Sequence, residues 1–154
     1  MLNAFTTAYN ALQGKPGIEY VARLRQQLHD LESGQQPDFA CPAVFIEFTD
    51  VTYGTQHYNT QVGSATLRIY VVQTEVAETD ETFFTLRDII HKALQATQAT
   101  PDVGRFNRVA ENAGPDVQGL SVWTMDYAVS WNDDSAAAPL ILHAVGNLTV
   151  TTTV

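Results

Sequence analysis

Four histidines, His29, His57, His91 and His143, are the side chains best placed to move protons near neutral pH. None stands in an HExxH pattern, and none pairs with the single cysteine, Cys41, at a zinc-ligand spacing. His91 falls near the C-terminal end of a helical pattern, where a cation interacts well with the dipole, so it reads as a capping residue. Ser64 follows Gly63 without a GxSxG elbow, and Gly63 reads as a turn residue. Neither a P-loop nor a GxGxxG sequence occurs. Glu47 and Asp126 could be imagined as a paired acid site. Both fall inside strand patterns, opposite the larger apolar residues, and the expectation is that they are solvated outer-face carboxylates. Asp133 and Asp134 are adjacent acids without the further, regularly spaced oxygens of a calcium loop, and read as a solvated turn. Cys41, just before Pro42, has no basic neighbour in sequence to activate its thiol and reads as a small buried apolar residue. The sequence therefore predicts no catalytic, cofactor-binding or metal-ligating residues, no cofactor, and a chain that is not an enzyme.

Composition narrows the remaining classes. The chain has 154 residues, enough for one domain with a full core. Hydrophobic residues make up 45%, which argues against disorder, while charged residues make up only 16%, so much of the surface must be uncharged Thr, Gln, Asn and Ser. Such a surface suits interfaces. The formal net charge is −9, and Lys15 and Lys92 are the only lysines. A basic patch for gripping DNA is absent, although an acidic wall can let DNA slide past without sticking. The opening residues carry no basic, apolar leader and no run is long enough to span a bilayer, which predicts a cytoplasmic chain.

The elements that would position these residues follow from hydrophobic periodicity. Leu2, Phe5, Tyr9 and Leu12 make a helical stripe over about 2–13, stopped by Gly14-Lys15-Pro16-Gly17. Residues 18–31 fit two patterns: Val21, Leu24, Leu28 and Leu31 suit a helix slightly better, while Ile18, Tyr20, Ala22 and Leu24 suit a strand. Residues 32–42 read as a loop. Pro42 opens a strand in which Val44, Ile46 and Phe48 alternate with Phe45, Glu47 and Thr49; residues 50–63 read as a loop. A second strand over about 64–73 shows Leu67, Ile69 and Val71 on one face, predicting a hairpin with a long tip. An acidic linker from Glu75 leads to Asp80, a plausible N-cap, and to a helix over about 81–96 with Phe83, Leu86, Ile90, Ala93 and Leu94 on its apolar stripe. Residues 103–111 make a weak strand. Residues 119–132 make a strong one, with Trp123, Met125, Tyr127, Val129 and Trp131 on one face, and five large side chains there call for a covering layer, the 81–96 helix. Trp123, Tyr127 and Phe83 are expected to be buried.

The segment Cys41-Pro42-Ala43-Val44-Phe45-Ile46-Glu47-Phe48 and Gly63 through Val72 carry a family resemblance. So do Ile89-Ile90-His91-Lys92-Ala93-Leu94-Gln95, Arg108 and Asp126-Tyr127. Their order resembles the tail-terminator or tail-completion proteins of tailed phages, over most of residues 1–132. The resemblance implies an α+β single domain: a twisted mixed or antiparallel sheet flanked by two helices. It implies a hexameric ring at the head-proximal end of the tail tube. Its partners would be other copies of itself, the tube protein and a neck or connector protein. Genomic DNA would pass through unbound, no membrane would be involved, and the protein would reside in the virion after synthesis in the host cytoplasm. It also implies a strand between the first helix and the Pro-led strand, which sets residues 18–26 as strand.

Two readings stand beside this one: another minor tail or baseplate component, and a small-molecule-binding α+β domain with a pocket between the aromatic strand face and the helix. Residues 1–134 form the expected domain. Residues 135–154 form a C-terminal extension that lacks any Asp, Glu, Lys or Arg and ends in alternating Leu148, Val150, Thr152 and Val154. An unguarded strand of that kind must pair within its own sheet or across an interface.

Overall fold

A computed structural model describes residues 1–54, 60–74, 80–114, 116–117 and 119–133; of Asp80 it describes the backbone alone. The acidic linker at 75–79 and the extension from 134 onward lie outside the described residues.

The first helix, α1 (Leu2–Leu12), forms where the sequence predicts it, but its buried line is Ala4, Ala8 and Leu12. Leu2 is 75% exposed, while Phe5 and Tyr9 flank the line half-buried. The small alanines let the helix axis come close to its neighbours, so the larger rings are pushed to its sides. The chain then turns through Gly14 and Gly17, both at positive φ, a region open to glycine without a Cβ clash.

The ambiguous stretch holds both elements. A short strand β1 (Tyr20–Arg23) is followed by a one-and-a-half-turn helix α2 (Gln27–Glu32). The expected strand over 18–26 is thus shorter, and residues 24–26 form a bend that leads into α2. Leu24, Leu28 and Leu31, the helical stripe, pack together with Phe39, Phe45, Val72 and Val122. Val21 points to the opposite side of the sheet.

Strands β2 (Ala43–Tyr53) and β3 (Gln61–Thr74) form the predicted antiparallel hairpin. Both strands run further than expected: 50–53 and 61–63 extend the ladder beyond a bulge between Thr49 and Thr52 that shifts its register by one residue, with Asp50 at φ 54°. Helix α3 (Asp80–Gln95) begins at Asp80, so Asp80 is the first helical residue instead of the cap before it. Strands β4 (Asn107–Ala113) and β5 (Leu120–Asp133) complete a five-stranded mixed sheet in the order β1-β2-β3-β5-β4. Among the described strands, β1 and β2 are parallel and the other three pairings are antiparallel.

The fold is therefore the expected α+β single domain, with α2 as a third, short helix. Helices α1 and α3 cover one face of the sheet. Under them lie Val44, Ile46, Leu67, Ile69, Val71, Met125, Tyr127, Val129 and Trp131. On the opposite face, among the described residues, α2 and the segment around Phe39 cover the half that carries Ala43, Phe45, Val72, Leu120 and Val122. The other half carries Ser64, Thr66, Ala128 and Ser130, short side chains, three of which are exposed.

Candidate functional site

Glu47 and Asp126 do share a face, but a basic residue stands between them. Register places Glu47 opposite Arg68 and Arg68 opposite Asp126, one rung across three strands. The Arg68 guanidinium donates twice to Asp126, from Nε to Oδ1 at 2.8 Å and from Nη2 to Oδ2 at 2.9 Å. The Tyr70 hydroxyl donates to Glu47 Oε2 at 2.8 Å. The expectation of solvated outer-face carboxylates is corrected for Asp126, which is 7% exposed and fully engaged. Strand alternation alone could not show this, because it assigns a face without saying which residue lies across the rung. The fork of Arg68 on Asp126 raises the Arg68 pKa above its ordinary value. Burial, then the hydrogen bond to Glu47, raises that of the Tyr70 hydroxyl. Arg68 is paired with Asp126 and stands opposite Glu47, whose carboxylate accepts from Tyr70, so the row acts as a brace across β2, β3 and β5.

His91 does not cap its helix. Its ring stacks on Tyr127 at 6.1 Å, with Nδ1 and the phenol oxygen 3.3 Å apart. Burial, and next the charge of Arg108, lowers the His91 pKa, so the neutral ring is favoured. Burial also raises the pKa of the Tyr127 hydroxyl, which is fully enclosed. Beside them, Glu111 accepts from Arg108 and lies 3.3 Å from Arg87, which ties α3 to the edge strand β4. His29 lies on the exposed side of α2 near Glu32, at 3.9 Å, while His57 and His143 fall outside the described residues.

Gly63 is a strand residue, not a turn. It pairs with Tyr53 and Trp131, and a Cβ there would come within 2.6 Å of three atoms of the Trp131 indole. Ser64 faces the other way and shares a 2.8 Å hydrogen bond with Thr52 across the hairpin. Cys41 is half-buried, and burial raises its thiol pKa, which suits the expected packing role better than a nucleophile. Asp133 ends β5; Asp134 lies outside the described residues. No group of three or more metal-ligating side chains converges among the described residues.

Between the aromatic strand face and α3 there is packed core. Tyr127, Met125, Val129 and Trp131 are enclosed there. Phe83 and Trp123 are half-buried, contrary to expectation, and meet edge to face at 4.9 Å near the rim.

Among the described residues, the surfaces left uncovered are the sheet edges and the half-face of short side chains. Strand β4 pairs with β5 on one side, and most of its residues are exposed, with Val109 at 60%. At the hairpin end Tyr53 and Val62 are about half exposed, at 48% and 53%. No protein-family model matches the chain, and no curated protein matches it.

Proposed function

We propose that this chain is a structural subunit of a phage tail, a tail-terminator or tail-completion protein that assembles into a ring where the tail tube meets the neck. The observation that carries the proposal is the order of elements within one sheet. A helix and then a strand precede the Pro-led hairpin, with the short α2 between them and it, and the mixed sheet is flanked by helices; the strand after the first helix and the flanked sheet are what the family resemblance implies. Closed cyclic symmetry needs two unlike surfaces on each subunit, one receiving the other. The β4 edge and the hairpin end, with Tyr53 and Val62, are two such surfaces. The low charged fraction supports the same reading, since burying few charges on assembly limits the desolvation cost.

The test is light scattering and electron microscopy of the purified protein at high concentration, alone and with the tube protein of the same tail. Rings of uniform diameter in either condition are the expected result. A strict monomer in both overturns the proposal.

A further inference from the structure

Strands β3 and β5 each have a partner on both sides, so a further strand can join the sheet only at an outer edge. Among the described residues, three outer edges are open. The first, β1, is short, carries Arg23 and follows Glu19. The second, β4, carries Arg108 and Glu111 and is bulged between Arg108 and Ala110. Short length, charges and bulges are the usual guards against strand addition. The third is the outer side of β2 past Ile46, where the pairing with β1 stops. Over residues 48–53 its one charged residue is Asp50, at the bulge, and Val51 and Tyr53 are 39% and 48% exposed.

This third edge has two unlike faces. Phe48 and Tyr53 lie on the side of α1, each ring edge-on to Trp131. Thr49 and Thr52 lie on the other side, opposite Thr66 and Ser64. The chain holds one segment of the same make. In residues 148–154, Leu148, Val150 and Val154 alternate with Thr149, Thr151 and Thr153, without a charge. Added as a strand, the segment would set its apolar side chains beside Phe48 and Tyr53 and its threonines beside Thr49 and Thr52. Strand β5 ends at Asp133, opposite Gln61, at the same end of the sheet as Tyr53. The stretch 134–147, drawn out at about 3.3 Å per residue, reaches roughly 45 Å, more than the roughly 30 Å across a small domain.

We propose that residues 148–154 of one copy add as a strand to the free β2 edge, residues 48–53, of the next copy. The inference rests on the ring reading, in which each copy must offer a surface unlike the one it receives; an arm and an open edge are such a pair. Main-chain hydrogen bonds along the edge hold the arm, and the match of alternate side chains sets which segment is taken.

The first test is hydrogen exchange of the unmodified protein under the conditions in which it assembles. The outward-facing amides among residues 48–53 should exchange at least about tenfold more slowly in the full chain than in a chain ending at residue 138. A peptide of residues 139–154, added to that shortened chain, should restore the protection. Dilution of the full chain should remove it. The second test uses a Cys41→Ser background and a short bis-maleimide. A chain with Val51→Cys, mixed with a chain with Val150→Cys, should give a covalent pair of the two unlike chains. A chain with both changes should give multimers. Closure within one chain overturns the proposal, and so does equal exchange in the full and shortened chains, which stands even if a variant does not fold. Rings that form with residues 48–53 unprotected overturn the arm and leave the ring reading intact. Covalent pairs of unlike chains without rings by scattering uphold the arm and overturn the ring.

Discussion

Adding one methyl group at Gly63 should destabilise this protein by a route that strand propensity alone would not suggest. Replacing a strand glycine with alanine ordinarily helps, by about 0.5–1 kcal/mol, because glycine loses more backbone freedom on folding. Here the new Cβ would sit within 2.6 Å of Cε2, Cζ2 and Nε1 of Trp131, against a normal carbon contact of about 3.5–4.0 Å. One of the two groups must retreat by about 1 Å. The indole has little room to do so: it is 2% exposed and held edge-on by Phe48 at 6.2 Å and Tyr53 at 6.0 Å. Overpacking of this kind costs about 1–3 kcal/mol. After the propensity gain is subtracted, Gly63→Ala should lose up to about 2.5 kcal/mol, with about 1 kcal/mol in the middle of the range. That is a few degrees of melting temperature in a chain of this size. The discriminating measurement is urea denaturation in two backgrounds. In Trp131→Val the obstructing ring is gone, so the same Gly63→Ala change should turn neutral or stabilising, whatever the cost of the background itself. A Gly63→Ala effect of the same sign and size in both backgrounds would refute the reasoning, because it would place the cost in the backbone and not in the ring.

Phe83→Ala should cost about 2–4 kcal/mol by denaturant melting, somewhat below the roughly 3–5 kcal/mol of an enclosed ring, since the Phe83 ring is only partly buried. Arg68→Met should destabilise by about 1–3 kcal/mol, because Asp126 stays buried without its partner; the partial exposure of Arg68 keeps the loss below that of a fully buried pair. Arg68→Met with Asp126→Leu should recover most of that loss, and failure to recover would mean that the pair is not coupled. His91 has a folded-state pKa below its ordinary 6.5, so the unfolded chain binds the extra proton first. Its contribution is complete above about pH 6.5 and is lost as pH falls through the lowered folded value, so urea midpoints should drop on acidification more steeply in the wild type than in His91→Gln. Deletion of residues 139–154 should leave the circular dichroism spectrum native, because β5 already has β3 on one side and β4 on the other. Loss of ring assembly in that truncated protein would identify the extension as an arm between subunits.

The elements with strong periodicity were legible in the sequence because one side of each faces a buried layer. Trp123 to Trp131 and Leu86 to Leu94 are the clearest cases, and both took the predicted form. Residues 18–31 gave two conflicting patterns because they contain two short elements, each obeying its own period. Gly63 was misread for a different reason: a glycine in a sequence signals a missing side chain, and only the partner strand shows that an indole occupies the vacated space. The same limit applies to Glu47, Arg68 and Asp126. Their faces follow from alternation, but their meeting depends on the registers of two separate pairings. His91 followed the helix-end rule in sequence, yet its ring found Tyr127, a residue far along the chain.

The place of β5 inside the sheet, between β3 and the edge strand β4, bears on how the chain reaches its fold. Its rungs to β3 run from Thr74↔Leu120 to Gln61↔Asp133, so they can form only after α3 and β4 have been made and looped back. Pairings over such separations close slowly, because the entropy of the intervening loop is lost before the contacts form. Until then the β2–β3 hairpin, a local structure, presents a bare inner edge with Leu67, Ile69 and Val71 beside it. During synthesis that edge waits for the last described strand to emerge. The chain is most exposed to wrong pairing in this interval, and at high expression the yield of folded protein should depend on how quickly β5 arrives.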